Sequence, residues 1–241
     1  MSEKEPVDIV MVAWKRENFT YRTINAIAKN TKYPFRLTLI QNECNKDENF
    51  TNPNITNQVR LEENWGLEPA KNIGMSFVKS KYFISTDNDC LPMKPNEKGD
   101  WLTQLVELMD NNPQYGAISC RTQVMIGTGN IFEGHEEEDL LEFPHPGGSL
   151  RIMRTDLVKR IGGWRKDMLG RGSEEKYICG KIHEAGYKTG FAVKIKCYHL
   201  FGDGKHDWGY SGMKPEEHFH NDVAHPVLDN PDDVEELKNY E

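Results

Sequence analysis

The chain has 241 residues, 37% of them hydrophobic and 28% charged, with a formal net charge of −8. That size supports one domain with a sizeable core, and the acidic balance argues against a nucleic-acid partner held by phosphate neutralisation. No apolar run approaches the roughly 20 residues of a membrane-spanning helix, and the charged start lacks a signal peptide's apolar core. Five scattered cysteines (44, 90, 120, 179 and 197) form no Cys-x-x-Cys pair. They read as reduced thiols of a cytoplasmic protein, with peripheral attachment to a membrane left open.

Val7 to Val12 is nearly continuous apolar sequence, the profile of a buried first strand. After a loop, Tyr21, Ile24, Ile27 and Ala28 recur at helical spacing up to Asn30. Pro34 ends that unit and Phe35 to Ile40 reads as a second strand, so the opening is β-α-β with parallel strands and a right-handed crossover. Residues 41–58 are polar and read as a long loop, with a short strand over Val59 to Leu61. Gly66 opens a second helix whose apolar face carries Leu67, Ala70, Gly74, Phe77 and Val78.

Tyr82 to Ser85 is short and β-prone, and two carboxylates follow at Asp87 and Asp89. Desolvating a carboxylate inside a strand is costly unless it is paired or binds a metal. Both therefore belong just beyond the strand, at the carboxyl edge of a sheet, where open α/β sheets bind ligands. Asp-x-Asp offers hard oxygens to Mg²⁺ or Mn²⁺, ions that usually also hold substrate phosphates. Asp-Asn-Asp is equally a common turn sequence.

Trp101 to Asp110 is a third helix stopped by Pro113, and Tyr115 to Cys120 a further strand. Periodicity fades over residues 121–146. Gly147 and Gly148 precede a strand over Ser149 to Met153; Thr155 then caps a short helix that ends near Gly162 and Gly163. Ser173 caps another helix with Ile178, Ile182 and Ala185 on its buried face, and Phe191 to Ile195 is the last strand. The acidic end, Pro231 to Glu241, forms a surface helix or frays. Strands alternating with helices predict a layered α/β domain.

Several segments, in order, resemble one family. They are Ala13 to Glu17 after the first strand, Asn64-Trp65-Gly66 through Lys71-Asn72-Ile73-Gly74, and Asp87-Asn88-Asp89. Gly147-Gly148, Gly162-Gly163-Trp164, Gly172 to Glu175 and Ala185-Gly186-Tyr187 follow. Over residues 7 to 200 the chain resembles a family 2 glycosyltransferase. The resemblance implies a Rossmann-like, three-layer A-type fold around a mixed, mostly parallel sheet. It implies a single domain over 1–241: a nucleotide-sugar half (7–120), an acceptor-side half (121–200) and a flexible flap and tail (201–241). The loop after the second strand departs from the family. Gln41 and Asn42 stand where an Asp normally reads the base, and Glu174-Glu175 stands for a Glu-Asp pair.

The implied activity is inverting transfer of a sugar from a nucleotide-diphospho sugar, a UDP sugar by preference, to a glycan, lipid-linked or protein acceptor hydroxyl. The implied cofactor is Mn²⁺ or Mg²⁺. Asp89 is the first choice as direct ligand; Asp87 meets the ribose or a metal-bound water, and His199 completes the shell. Glu175 is the candidate general base, with Glu174 as the alternative. Acids after a Ser cap also simply complement the helix dipole. Ala13, Trp14, Arg16, Glu17, Gln41, Asn42, Asn88 and Gly148 are placed around the nucleotide sugar. Lys71 either approaches the diphosphate or Asp87, or is a surface helix lysine. Trp164 is either an acceptor-side platform or core. His206 and Trp208 fit the flap, and His218 with His220 is either a second metal pair or solvated. Two other readings stand beside this one. A nucleotidyltransferase would want a glycine-rich loop after the first strand, and residues 13–18 contain no glycine. A non-catalytic carbohydrate-binding module would have no need of the acids at 87, 89 and 175.

Overall fold

A computed structural model describes residues 4–14, 16–43, 51–122, 131–166, 173–200 and 238–240. The first unit is β1 (Val7–Ala13), α1 (Glu17–Asn30) and β2 (Phe35–Gln41), followed by β3 (Ile55–Arg60), α2 (Leu67–Met75) and β4 (Tyr82–Asp87). Then come β5 (Cys90–Pro92), α3 (Trp101–Asn111), β6 (Tyr115–Thr122) and β7 (Leu140–Glu142). The chain continues through β8 (Arg151–Arg154), α4 (Thr155–Arg160), α5 (Ser173–Glu184) and β9 (Lys188–His199).

Among the described residues one sheet holds the nine strands, in the order β3-β2-β1-β4-β8-β6-β9-β5, with β7 also paired to β9. Strands β3, β2, β1, β4, β6 and β9 run one way, while β8, β5 and β7 run against them. The sheet is therefore mixed and mostly parallel, as the alternation of elements predicts.

Every residue of β1 is buried, because side chains alternate between two covered faces. Ile9 and Met11 pack with Ile24 and Ile27 of α1 and with Trp101 and Leu105 of α3. Val10 packs the other way, with Met75 of α2, Leu157 of α4 and Ile178 of α5, and Val12 joins Ala70. Helix, sheet and helix make three layers. The approach of α2 to β1 requires a glycine: a β-carbon at Gly74 would lie 2.2 Å from Val10 Cγ1.

Some elements differ from the sequence reading. β3 begins four residues before Val59, and the three-residue strands β5 and β7 were not foreseen. β9 is twelve residues long, because its first part pairs with β7 and its last part with β5. Thr155 is the first helical residue of α4, and Arg154 occupies the cap position without a side-chain hydrogen bond. α2 ends at Met75, so Phe77 and Val78 lie beyond it, and Leu67 is exposed. Among the described residues no helix is long and apolar enough to cross a membrane.

Candidate active site

β1 lies between β2 and β4 and is parallel to both, so the chain reverses its direction of travel across the sheet there. A crevice forms outside the carboxyl ends of strands at such a switch point. Val12 pairs with Asp87 and Ala13 with Gln41, which brings the ends of three strands together. The antiparallel β8 starts beside the end of β4, with Arg151 opposite Ser85. Gly148 therefore enters the crevice from the far side.

The residues after β1 and β2 form one rim. Ala13 is buried and its carbonyl accepts from the Asn42 amide. Trp14 Nε1 donates to Glu43 at 2.6 Å. Arg16 adopts a left-handed conformation (φ 59°), caps α1, and places Nη1 3.4 Å from Asp89 Oδ2. Glu17 is exposed at the start of α1. Gln41 Oε1 accepts from Gln58. Asn42 and Asn88, expected around the nucleotide, turn their side chains to other tasks. Asn42 Nδ2 donates to Asn64 and Gly66 while its Oδ1 accepts from Trp65 N, so this amide shapes the turn before α2. Asn88 donates to Thr20 Oγ1 at 2.8 Å and its carbonyl accepts from Thr23, which ties the Asp-x-Asp turn to α1.

The centre of the crevice is charged. Lys71 is no surface lysine: it is 1% exposed, with Nζ 3.3 Å from Glu174 Oε1 and 3.8 Å from Asp87 Oδ1. Burial opposes its charge, but Glu174 and Asp87 override that and hold its pKa above the ordinary value. Asp87 is pushed up by burial, only partly offset by Lys71. A β-carbon built on Gly148 would sit 3.5 Å from Lys71 Nζ, 3.7 Å from Glu175 Oε1 and 3.8 Å from Asp87 Oδ2. Those three groups therefore surround one small space. Lys71 Nζ and Asp87 Oδ1 are buried with no hydrogen-bond partner among the described residues. Both atoms are ion-paired, with each other and Lys71 also with Glu174, but neither makes an aligned hydrogen bond, which leaves each with capacity for a polar ligand.

The two glutamates separate cleanly. Glu174 is buried and accepts from Arg151 Nη2 and Trp164 Nε1. Burial alone would raise its pKa, but Arg151 and Lys71 bring it down to about 2. Glu175 is pushed up, by burial and then by the charge of Glu174. Trp164 takes the core alternative. It is 1% exposed, meets Phe83 edge-on with centroids 6.3 Å apart, and offers no face to an acceptor sugar. Sequence reasoning missed three supports: Arg151, Asn72 and the Glu68–Arg165 pair. Asn72 donates to the carbonyls of Trp164 and Arg165, and Glu68 accepts from Arg165 through Nε and Nη2. The partners of Asn72 and Glu68 lie more than ninety residues away and Arg151 meets Glu174 across 23, so no local pattern announces them.

Beside this centre, His199 Nε2 lies 3.3 Å from Asp89 Oδ1. Burial would raise Asp89, but His199 and then Arg16 lower it to about 2. Burial likewise opposes charge on His199, and Asp89 reverses that, so its pKa rises. A carboxylate oxygen beside an imidazole nitrogen suits Mn²⁺. The donor set therefore fits a divalent cation. Cys90 Sγ, 3.7 Å from Asp89 Oδ1, completes a group whose ligand atoms lie within 4.8 Å of one another. Burial, then the charge of Asp89, pushes this thiol well up. His206, Trp208, His218 and His220 lie outside the described residues.

Residues 8–164 match the family described as Glycosyl transferase family 2. No curated protein sequence matches the chain. Solved structures do. GalNAc-T7 with UDP, GalNAc and Mn²⁺ has a TM-score of 0.66 at 18% identity, over 80% of this chain and 43% of that one. The mannosyltransferase PcManGT from Pyrobaculum calidifontis, with GDP-Man and Mn²⁺, has a TM-score of 0.64 at 16% identity, over 85% and 59%. S. aureus TarS 1-349 has a TM-score of 0.63 at 14% identity, over 81% and 60%. The chain thus spans less than two thirds of the length of each.

Proposed function

The chain belongs to Glycosyl transferase family 2, and from that premise we propose that it transfers a sugar from a nucleoside diphosphate to an acceptor hydroxyl, with inversion at the anomeric carbon. It is a glycosyltransferase of the A-type fold. The donor in this reading is a UDP sugar and the cation Mn²⁺ or Mg²⁺. Similar proteins hold UDP or GDP-mannose together with Mn²⁺, which supports a nucleoside diphosphate in the crevice. In this reading residues 7–120 serve the donor and 121–200 the acceptor.

One observation carries the reading. The ion-paired Lys71 and Asp87 border the same space as Glu175, and Asp89, two residues after Asp87, pairs with His199. Asp89 and His199 would hold a divalent cation, which would supply charge compensation for the departing diphosphate. The residues do the rest. Lys71 keeps a fixed positive charge where negative charge develops, without reorganising when it does. Arg16 adds a second positive group at the rim. Glu175 takes the proton from the acceptor hydroxyl as that oxygen bonds to the anomeric carbon. The bond from that carbon to the diphosphate oxygen breaks, and the nucleoside diphosphate leaves with the bonding pair. Glu174, held by Arg151 and Trp164 as an acceptor of hydrogen bonds, keeps Lys71 in place rather than moving a proton.

The test is a thermal-shift titration of UDP, GDP and their sugars, with and without Mn²⁺, on the wild type and on Asp89→Asn. A ligand that binds only the folded state raises the melting temperature by mass action. We expect a nucleotide-dependent rise that Mn²⁺ enlarges, and that Asp89→Asn removes. If no nucleotide shifts the wild type under any metal condition, the donor site is misassigned.

A further inference from the structure

The antiparallel pairing of β5 with β9 sets Cys90 directly opposite His199, and Asp89 immediately precedes Cys90. The Leu200 amide donates to the Asp89 carbonyl at 2.9 Å, so the turn and the strand end are locked in one register. Three different ligand types thereby lie within 4.8 Å of one another: a carboxylate, an imidazole and a thiol.

We propose that Cys90 is a third protein ligand at this site, and that the site binds thiophilic divalent cations of the Zn²⁺ class through Asp89, Cys90 and His199. The proposal rests on the metal reading above and goes beyond it, because neither the Asp-x-Asp pattern nor the base-and-diphosphate chemistry calls for sulfur. The geometry is the argument. A tetrahedral zinc with ordinary bond lengths sets its oxygen and nitrogen ligands about 3.3 Å apart and its oxygen and sulfur ligands about 3.6 Å apart. The Asp89 Oδ1 to His199 Nε2 separation is 3.3 Å, and the Asp89 Oδ1 to Cys90 Sγ separation is 3.7 Å. All three ligand atoms lie within 4.8 Å of one another. The oxygen nearest His199 is also the one nearest Cys90, while Asp89 Oδ2 turns to Arg16. Cys90 and Asp89 are buried, but the His199 side chain keeps 26% of its surface in solvent, which leaves an entry path.

When such a cation binds, the Cys90 S–H bond breaks, the sulfur bonds to the metal, and the proton leaves to the buffer; metal affinity at a thiol site is coupled to proton release in this way. Softness then sorts the ions. Mn²⁺ is satisfied by oxygen, nitrogen and water, whereas Zn²⁺ and Cd²⁺ gain from the sulfur. The site holds Mn²⁺ weakly and exchangeably, and holds Zn²⁺ or Cd²⁺ tightly.

Titration of the full chain with Cd²⁺, followed by the ultraviolet charge-transfer band of a cadmium–thiolate bond, tests this directly. In parallel, Mn²⁺ binding and its displacement by Zn²⁺ are followed by the electron paramagnetic resonance of free Mn²⁺. We expect one equivalent of the cadmium–thiolate band in the wild type, absent in Cys90→Ala and in Cys90→Ser. We expect it weakened in His199→Gln. Zn²⁺ affinity should fall by about tenfold or more in the Cys90 variants, the scale on which ligand partners act, with Mn²⁺ affinity little changed. Cys90→Ser keeps the volume of the side chain and guards against a packing defect in Cys90→Ala. Mn²⁺ binding without a cadmium–thiolate band overturns the role of Cys90 alone. A band that survives both Cys90 substitutions assigns the sulfur elsewhere and also overturns it. If neither Mn²⁺ nor Cd²⁺ binds, the metal site itself falls.

Discussion

Glu174 and Glu175 are neighbours on the first turn of α5, yet their carboxyls meet opposite fields. Glu174 is pinned by a buried arginine, a buried lysine and an indole N–H, and its pKa falls to about 2. Such a group has no basicity to offer. Removing its charge leaves Arg151 buried without its ion-pair partner and Lys71 with Asp87 alone, and breaking a buried pair typically costs about 3–5 kcal/mol. Glu174→Gln should therefore lower the melting temperature sharply. Glu175→Gln should keep the fold and donor binding and lose roughly 10²- to 10⁴-fold in turnover; an unchanged rate would remove Glu175 from the reaction. The pH dependence follows from sign. A base acts only when deprotonated, and burial with the Glu174 charge raises the pKa of Glu175. The rate should climb with pH through a value above the ordinary glutamate range of about 4.3, and that limb should vanish in Glu175→Gln. Gly148→Ala separates space from stability. The new methyl meets three polar groups at 3.5 to 3.8 Å, ordinary contact distances, so the melting temperature should hold. It fills the space between them, and a displacement of about 1 Å can cost about 10²-fold in rate. That Asp87, Glu175 and Gly148 come close together, and that Asp89 meets His199, was legible, because strand ends and turn glycines announce themselves. The side-chain partners of Asn42 and Asn88, and the Glu174 partner of the Trp164 indole, were not. Which group an amide or an indole N–H finds depends on distant backbone that no local pattern encodes.

At the scale of elements, β1, α1, β2, α2, β4 and α3 were readable because each has a long apolar run or a clear helical period. β5 and β7 were not, since three residues carry no period. The joint between β1, β2 and the turn before β4 is polar and equally unannounced. Asp8 accepts from Arg36 at 2.7 Å and 3.0 Å, and from the amides of Lys79 and Ser80 at 2.7 Å and 2.9 Å. Burial would raise its pKa, but these donors together lower it. The folded value thus lies below the unfolded value of about 3.9. Its contribution to stability is fully present above the unfolded value and is lost as pH falls through the folded one. Asp8→Asn should flatten the acid limb of a stability-against-pH curve. It should also cost about 1–3 kcal/mol at neutral pH, as buried donors lose a charged acceptor. An acid limb identical to wild type would show that Asp8 does not control it. Gly74 makes the parallel case for packing. A methyl there runs into Val10, and overpacking of that kind typically costs about 1–3 kcal/mol, readable as a lower midpoint in denaturant for Gly74→Ala.

For the whole molecule, the decisive feature is that two halves of the sheet meet around β8. The parallel run β3-β2-β1-β4 follows from the alternation of strands and helices. The insertion of β8 between β4 and β6 does not, because antiparallel placement depends on which edge a strand finds free. Beyond β6, strand β9 carries both small edge strands and ends at His199. The far end of the chain returns to that edge. The Tyr240 carbonyl accepts from Asn30 Nδ2, its ring lies 5.5 Å from that of Tyr198, and the Asn239 carbonyl accepts from the Lys94 amide. Phe19, Leu91, Tyr198, Leu200 and Tyr240 form one small cluster beneath the β5–β9 pairing. That pairing fixes the separation of Asp89 and His199, so the cluster should set the proposed metal site from behind without touching it. Tyr240→Ala removes a buried aromatic, a loss typically worth about 3–5 kcal/mol in a well-packed core and less at an edge. We expect a lower melting temperature together with weaker Mn²⁺ affinity, while nucleotide binding without metal is unchanged. A purely structural role would lower the melting temperature and leave Mn²⁺ affinity alone. The coupled loss would show that the last residues of the fold help hold Asp89 and His199 at ligand distance.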